Sequence, residues 1–274
     1  MSLVSTNWLQ ENLDNVKIID CSWHMPKTKR DGFDEYLKRH IKNSIFFDLD
    51  KNSKQNINLP HMLVSSDEWQ KIVSEMGIKN DDLLVIYDNS DLISSCRCWY
   101  NFIYFGHSPN LVKVLNGGLR KWIKESKETT SHIENLDRTN YQTCEIKKLV
   151  KSKKEIDENI ITSEFKLVDA RSINRFKGLE TEPRKGLRSG SIQNSVCLPF
   201  EECINKKTYE FLSVPELKVK FEKIINNTKE TNIIFSCGSG VTAAVLAFAL
   251  SLINESYLPI IYDGSWSEYG KYPS

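Results

Sequence analysis

The amino-acid sequence contains the same pattern of segments twice. "VKIIDCSW" is followed about twenty residues later by "HIKNSIFFDL", and "FKLVDARS" is followed at a similar spacing by "SIQNSVCLPF". The second segment of each pair shares isoleucine, any residue, asparagine, serine and a β-branched residue. "LLVIYDNSD" then corresponds to "NIIFSCGSG", and "VKVLNGGLRKW" to "PIIYDGSWSEY". An internal repeat of this length predicts two domains of similar fold.

Each half offers four short apolar segments that are typical of buried strands. These lie near residues 17–20, 45–47, 83–87 and 112–115, and near 166–169, 196–198, 232–236 and 259–262. Helix-like segments separate them, such as "SSDEWQKIVSEMG", in which Ser66 and Gly77 mark a start and a stop. The alternation predicts the α/β class: tandem domains, each a parallel sheet flanked by helices on both faces.

A polar run divides the two halves. "KESKETTSHIENLDRT" has little apolar content and no clear period, as in a linker. We therefore predict a first domain over 1–124, a linker over 125–140 and a second domain over 141–274.

Composition excludes several classes of protein. The 274 residues carry a formal net charge of +1, which gives no indication of binding to nucleic acid or to an anionic membrane surface. The longest apolar stretches are shorter than a membrane span, and the first residues lack the pattern of a secretion signal. Seven scattered cysteines, an odd number, indicate reduced thiols in the cytoplasm, with a mitochondrial location as the alternative.

The segment "NIIFSCGSGVTAAVLAFAL", residues 232–250, reads as a buried strand, a glycine turn and a buried helix. This arrangement directs backbone N–H groups and the positive end of a helix dipole towards Cys237 at the strand end, which favours a thiolate. The alternative is a small buried apolar side chain. Cysteine phosphatases also use such a loop, but they need a basic residue near position 243, and Ala243 is not basic.

No cofactor and no metal is predicted. The first half has "DNSDLISSCRCWY" at the corresponding position, where Cys96 and Cys98 are set further along the chain. A Cys-x-Cys pair without further nearby ligands is weak evidence for a metal site.

The chain resembles the two-domain rhodanese superfamily. "CGSGVTAAVLAFAL" is similar to its active-site loop, in the form found in members that use 3-mercaptopyruvate, and "DCSWHMP", "FFDLD", "LNGGLRKW", "EPRKGLRSG" and "DGSWSEYG" follow in the family order. The resemblance implies two rhodanese domains, the first without the nucleophile. It also implies transfer of sulfur from 3-mercaptopyruvate to Cys237, which leaves pyruvate and a persulfide. A thiol acceptor, commonly thioredoxin, or cyanide then takes the sulfur.

The resemblance also assigns roles to individual residues. Arg175 and Arg184 correspond to the substrate-binding arginines, and the planar fork of an arginine suits a carboxylate. From the residues alone, a salt-bridged surface with Glu180 or Glu182 is the alternative. The N–H groups of the loop are expected to hold the persulfide anion. That loop comprises Gly238, Ser239, Gly240, Val241, Thr242 and Ala243.

A proton relay is the last role that the resemblance implies. Ser239 corresponds to a family serine that joins a histidine and an aspartate, and the matching candidates are His40 and Asp31. The chain reads "HIKNS" where the family has His-Ile-Pro-Gly-Ala, and Ser191 replaces the equivalent histidine in the second half. Any relay is therefore expected to come from the first domain.

Two alternatives to a mercaptopyruvate sulfurtransferase stay open at this point. A thiosulfate sulfurtransferase would have the same fold, but a sulfonate donor would be favoured by basic side chains after the cysteine, where this chain has Gly238 and Ser239. The other alternative is a rhodanese-like sensor without catalytic activity.

Overall fold

The computed structural model describes residues 2–225 and 232–272. The chain forms two compact units. The first contains the residues up to Gln55 together with Leu63–Ile146 and Lys206–Glu210. The second contains Asn56–Met62, Lys147–Asn205 and the residues from Phe211 onward. A short segment from the first half of the sequence, which includes His61, is therefore part of the second unit.

The first unit is built on a five-stranded parallel sheet with the order β1-β6-β5-β2-β4. Its strands are β1 (Leu3–Val4), β2 (Lys17–Asp20), β4 (Ser44–Phe46), β5 (Leu84–Tyr87) and β6 (Val112–Leu115). All four residues of β5 are buried, as expected of a central strand that is covered on both faces. A separate antiparallel pair joins β3 (His40–Ile41) to β7 (Thr129–Thr130).

The second unit repeats this topology. Its parallel sheet has the order β10-β9-β11-β12-β8. The strands are β8 (Val150–Lys151), β9 (Lys166–Asp169), β10 (Val196–Cys197), β11 (Ile233–Ser236) and β12 (Ile260–Tyr262). The two orders correspond when the second is taken from its other end. Strands β8, β12, β11, β9 and β10 then occupy the places of β1, β6, β5, β2 and β4. The predicted α/β class with two domains of similar fold is confirmed.

Helices flank both sheets. Those of the first unit are α1 (Thr6–Glu11), α2 (Gly32–Lys38), α3 (Ser66–Glu75), α4 (Ser95–Tyr104) and α5 (Gly118–Lys124), with short 3₁₀ helices at Pro26–Thr28 and Pro109–Leu111. Those of the second are α6 (Lys153–Thr162), α7 (Ile173–Phe176), α8 (Val214–Glu222), α9 (Val241–Ile253) and α10 (Ser265–Tyr269), with 3₁₀ helices at Lys147–Leu149 and Phe200–Cys203. Within the described ranges, no helix is long and apolar enough to cross a membrane.

The helix predicted from "SSDEWQKIVSEMG" is α3. Ser65 is its N-cap: the Ser65 hydroxyl accepts from the Glu68 N–H, and the Glu68 carboxylate accepts from the Ser65 N–H. Two of the N–H groups that a helix start leaves unpaired are thereby satisfied. Gly77, the predicted stop, has a φ of 65°, which glycine adopts at little cost.

The polar run over 125–140 is part of the first unit, which extends to Ile146. Within this run Thr129–Thr130 pair with His40–Ile41, and the Thr139 N–H donates to the Ser74 carbonyl over 2.9 Å. Immediately after the run, Tyr141 is fully buried. The run is therefore held by hydrogen bonds despite its polar sequence.

Candidate active site

Cys237 follows directly after β11 and lies in the turn that leads into α9. Gly240 is the N-cap of α9 and has a φ of 80°, in the left-handed region that favours glycine. The first ten residues of α9, from Val241 to Leu250, are all buried, so the helix is anchored by packing. Its N-terminus, with the positive end of the helix dipole, therefore lies at a fixed place beside the cysteine loop. Cys237 itself is 2% exposed.

The backbone of the nucleophile is held by the start of α10. The Cys237 N–H donates to the Ser265 hydroxyl over 3.1 Å, and the Cys237 carbonyl accepts from the Trp266 N–H over 2.9 Å. The Gly238 carbonyl accepts from the N–H and from the hydroxyl of Ser267, over 2.9 Å and 2.6 Å. Four hydrogen bonds thus fix three successive peptide groups, and the position of the cysteine does not depend on the glycine-rich turn alone.

Two guanidinium groups lie against Gly238. A Cβ atom added at this glycine would stand 3.3 Å from Nη2 of Arg175 and 3.4 Å from Nη1 of Arg184. The absence of a side chain at position 238 therefore lets both arginines approach the residue after the cysteine. Arg188 has other contacts, because its guanidinium stacks on the ring of Trp266 and donates to the Tyr269 carbonyl.

Ser239 joins one of these arginines to a histidine. Arg184 Nη2 donates to the Ser239 Oγ atom over 3.2 Å, and His61 Nδ1 lies 2.9 Å from the same oxygen. Both His61 and Ser239 are buried, and His61 has a φ of 59°. A positive φ is uncommon for a residue other than glycine, and such residues are found more often at functional sites. The second unit contains all four of these residues, which are His61, Arg184, Cys237 and Ser239.

The protein-family comparison matches the same two halves as the repeat. The model of the rhodanese-like domain matches residues 5–125 and again residues 152–272. The chain belongs to the rhodanese family.

Full-length relatives agree with this assignment. The protein is 34% identical to "3-mercaptopyruvate sulfurtransferase" of Mus musculus, covering 98% of this chain and 91% of the relative. It is 36% identical to "Thiosulfate sulfurtransferase" of Bos taurus, with the same shares of 98% and 91%. This rhodanese-family protein is a sulfurtransferase.

A solved structure is similar over almost its whole length. The crystal structure of SseA from Escherichia coli, described among 3-mercaptopyruvate sulfotransferases, superposes with a TM-score of 0.85 at 28% identity. The match covers 97% of this chain and 99% of SseA. The tandem arrangement of two rhodanese domains is therefore a property of the whole chain.

The two residues predicted for the proton relay, His40 and Asp31, take part in contacts within the first unit. His40 is fully buried there, and its Nδ1 and Nε2 atoms lie 2.6 Å and 2.9 Å from the carbonyls of Tyr36 and His132. Both ring nitrogens thus face carbonyl oxygens of the first unit. Asp31 is the N-cap of α2, where its carboxylate accepts from the Asp34 N–H over 2.9 Å. Both side chains stabilise local structure of the first unit.

His61 is the histidine that the sequence analysis missed. It lies in "LPHML", within a polar stretch that has no helical or strand period, so its burial could not be predicted from periodicity. The only local signal is its place after a proline and before two apolar residues. That signal is too common to identify a site residue.

Several other cysteines are protonated at neutral pH. Burial raises the pKa of Cys197 and of Cys203 to about 12 in each case, and burial together with the neighbouring Cys98 raises the pKa of Cys21 well above its usual value. A thiol is a poor nucleophile compared with a thiolate. These three side chains are therefore not competitors of Cys237. The part of the chain that the structure describes contains no cluster of three or more metal-binding side chains.

Proposed function

We propose that the protein takes sulfur from 3-mercaptopyruvate onto Cys237, releases pyruvate, and passes the sulfur to a thiol or to cyanide. The observation that carries this proposal is the approach of Arg175 and Arg184 to Gly238, at 3.3 Å and 3.4 Å from a Cβ position there. Two planar cations beside the residue after the nucleophile suit a substrate that carries a carboxylate and a keto oxygen close to its sulfur.

The choice between mercaptopyruvate and thiosulfate depends on the loop. Relatives named for each donor are 34% and 36% identical to this chain, so overall similarity does not distinguish the donors. The residues after Cys237 are Gly238 and Ser239, which supply no side-chain cation for a sulfonate. A side chain at position 238 would also crowd the two guanidinium groups, because a Cβ atom there stands in tight contact with both. Both features favour the carboxylate donor.

The proposed transfer step balances in atoms and charge. The Cys237 thiolate attacks the sulfur of mercaptopyruvate, so that an S–S bond forms while the C–S bond breaks. The electron pair of the C–S bond goes to the pyruvate fragment, which leaves as its enolate. The enolate carbon gains one proton, and the transferred sulfur loses one to become the persulfide anion. A guanidinium beside the keto oxygen would stabilise the enolate charge.

The Ser239–His61 pair is a candidate for moving that proton. Because an arginine has no acceptor atom, Ser239 accepts from Arg184 and can donate its own hydrogen to Nδ1 of His61. A histidine nitrogen in this position can act as a hydrogen-bond partner and proton acceptor for the hydroxyl. The pair therefore provides a short proton path that ends beside the cysteine loop.

The second half of the proposed cycle needs an acceptor. A thiolate that attacks the outer sulfur of the persulfide leaves Cys237 as a thiolate and carries the sulfur away as a new persulfide. A dithiol protein such as thioredoxin could then release hydrogen sulfide by forming its own disulfide. Cyanide would leave as thiocyanate. We expect these reactions in the cytoplasm, with the mitochondrion as the alternative location.

Side-by-side kinetics with the two donors test the proposal. With cyanide as acceptor, we expect a higher kcat/KM for mercaptopyruvate than for thiosulfate. A protein that prefers thiosulfate would contradict the donor assignment while leaving sulfur transfer intact. A protein whose Cys237 gains no sulfur from either donor would instead support the alternative of a non-catalytic sensor.

A further inference from the structure

Arg175 is held by a buried carboxylate. Its Nε–H donates to Glu182 Oε1 over 3.2 Å, and its Nη2 donates to Glu182 Oε2 over 2.5 Å. Arg175 lies on α7, a helix of only four residues, and its side chain is 19% exposed. So short a helix does little to order a long, flexible side chain. The contact with Glu182 is therefore what fixes the direction of the guanidinium.

Glu182 is itself fixed by a second arginine. Its side chain is 1% exposed, and Oε1 also accepts from Arg171 Nη1 over 2.7 Å. Arg171 is equally buried and makes two hydrogen bonds to Asp169 Oδ2, from Nε over 2.9 Å and from Nη2 over 2.6 Å. Acidic and basic side chains thus alternate in a network of ion pairs, in the order Asp169, Arg171, Glu182 and Arg175. Each buried charge has an opposite partner, as burial requires.

This network of charged side chains begins in the sheet and also contacts a residue that holds the backbone of Cys237. Asp169 is the last residue of β9 and pairs with Ser236, the residue before Cys237. The Arg171 guanidinium lies 4.4 Å from the centre of the Trp266 ring, and the Trp266 N–H donates to the Cys237 carbonyl. The substrate arginine and the cysteine are therefore held by the same rigid group of side chains.

The geometry of the Arg175–Glu182 contact leaves one edge of the guanidinium available. The contact uses the Nε and Nη2 edge, and the edge formed by Nη1 and Nη2 can bind a carboxylate through two parallel N–H groups. Among the described residues, neither Nη1 hydrogen has a hydrogen-bond partner. Nη2 is also the atom that lies 3.3 Å from a Cβ position on Gly238. The available edge therefore begins next to the cysteine loop.

We propose that Glu182 is the positioning residue of the active site: it fixes Arg175 so that the free edge of the guanidinium meets the substrate carboxylate beside Cys237. This inference rests on the proposed function, since it takes mercaptopyruvate as the donor. It assigns Glu182 no contact with the substrate. Glu182 also pairs with Arg171, so an effect of its loss through Arg175 has to be separated from one that Arg171 and Trp266 transmit to Cys237.

A double-mutant cycle tests this dependence. We expect Glu182→Gln to lower kcat/KM for mercaptopyruvate about tenfold, chiefly through KM, because Arg175 loses a charged partner but keeps its charge. In an Arg175→Ala background, the same substitution should cost less than about twofold. Glu180→Gln is the matched control, since Glu180 is an exposed carboxylate two residues away and should leave kcat/KM unchanged.

Two outcomes of the cycle would overturn the proposal. One is an equal loss from Glu182→Gln in both backgrounds, which would show that Glu182 supports the fold or the cysteine loop instead. The other is no loss at all in the otherwise wild-type protein. The rate at which iodoacetamide alkylates Cys237, measured in every variant, should stay unchanged if only Arg175 is affected.

A second variant keeps the test decisive if Glu182→Gln does not fold. Arg175→Lys retains a cation on a partly exposed position but cannot form the two-bonded contact with Glu182. We expect it to fold with an unchanged melting temperature and to lose about tenfold in kcat/KM. Full activity of this variant would contradict the proposal. Turnover of mercaptopyruvate by the unmodified protein tests the proposed function alone. The differences between the variants and the unmodified protein test the role of Glu182.

Discussion

The Nδ1 atom of His61 lies 2.9 Å from the Oγ atom of Ser239, two residues beyond Cys237 in the sequence. The same oxygen accepts a hydrogen bond from Arg184. Ser239 can accept from Arg184 and donate its single hydrogen to Nδ1 of His61 when that nitrogen carries no proton. The arginine that we propose to bind the substrate and the histidine that we propose to move a proton therefore share one hydroxyl.

The two histidines should respond differently to substitution. We expect His61→Asn to lower kcat for mercaptopyruvate by about a hundredfold, the usual scale for loss of a general acid or base, with little change in stability. His40→Gln should instead lower the free energy of unfolding by about 1–3 kcal/mol, because the fully buried ring and its hydrogen-bond contact with the Tyr36 carbonyl are lost. Steady-state kinetics and urea unfolding of both variants measure these effects. A His40 variant that is stable but inactive would restore the relay first expected from the sequence.

The sequence predicted four strands of each sheet, including the edge strands β4 and β10, but not the strand at the opposite edge, which is β1 in the first sheet and β8 in the second. Strands β2, β5, β9 and β11 are apolar, buried and flanked by turns, so their composition identifies them. Strands β1 and β8 are two residues long and have no detectable period. They exist because a neighbouring strand offers them hydrogen bonds, which is a property of the assembled sheet and not of the local sequence.

The same distinction applies to the site. Cys237 and its turn were predictable because a strand, a glycine turn and a helix are contiguous in the chain. Arg175 and Arg184 were predictable only through the family resemblance, since composition alone favoured a salt bridge. Arg175 in fact forms that salt bridge, with Glu182, and still lies beside Gly238. His61 could not be predicted, because it reaches Ser239 from 178 residues away in the sequence.

Replacement of the nucleophile should abolish turnover without unfolding the protein. In Cys237→Ser the hydroxyl is not ionised at neutral pH and cannot hold a labile sulfur atom. Mass spectrometry of the unmodified protein after treatment with mercaptopyruvate should show one added sulfur atom on Cys237. Cys144→Ser is the control, because Cys144 is exposed and should not be needed for activity. Sulfur found on Cys96 or Cys98 would show that the nucleophile is elsewhere.

Loss of Arg184 should affect both binding and chemistry. Arg184→Ala removes a cation beside Gly238 and the donor to Ser239, whereas Arg175→Ala removes a cation beside Gly238 and one partner of Glu182. We expect each change to lower kcat/KM for mercaptopyruvate at least about tenfold, as for loss of a charged contact worth roughly 1.5–3 kcal/mol. Only Arg184→Ala should also lower kcat substantially. Unchanged kinetics in both variants would place the substrate site elsewhere.

The contribution of Asp20 to the stability of the protein should fall as pH rises from about 4 to about 7 and should stay constant above that range. Burial raises the pKa of Asp20, at the end of β2, from 3.8 to about 7. Between these values the folded chain keeps a proton that the unfolded chain has released, so raising the pH favours unfolding. Asp20→Asn keeps an acceptor for the Ser22 N–H and cannot ionise. Above pH 7 it should therefore be more stable than the original protein, by a difference on the order of 3–4 kcal/mol, with little difference near pH 4. Urea unfolding at several pH values measures this, and parallel pH profiles would disagree with it.

The residues after the cysteine should decide the preferred donor. Gly238→Ala adds a methyl group 3.3 Å and 3.4 Å from two guanidinium nitrogens, so we expect it to raise KM for mercaptopyruvate without improving thiosulfate use. Replacing Gly238 and Ser239 by Arg and Lys adds two cations beside the attacking sulfur. At an effective dielectric constant near 20, one such charge at contact contributes about 4 kcal/mol before desolvation.

We expect the double replacement to shift the preference towards thiosulfate, mainly because mercaptopyruvate use is lost. The new lysine removes the oxygen that joins Arg184 to His61, and the new arginine displaces Arg175 and Arg184 by sterics and by like charge. The ratio of kcat/KM for the two donors should be measured in Gly238→Ala and in the double replacement. The first variant reports the steric effect of a side chain at position 238, and the second adds the effect of the two new charges. An original protein that already prefers thiosulfate, or a double variant that keeps full mercaptopyruvate activity, would refute this account of the loop.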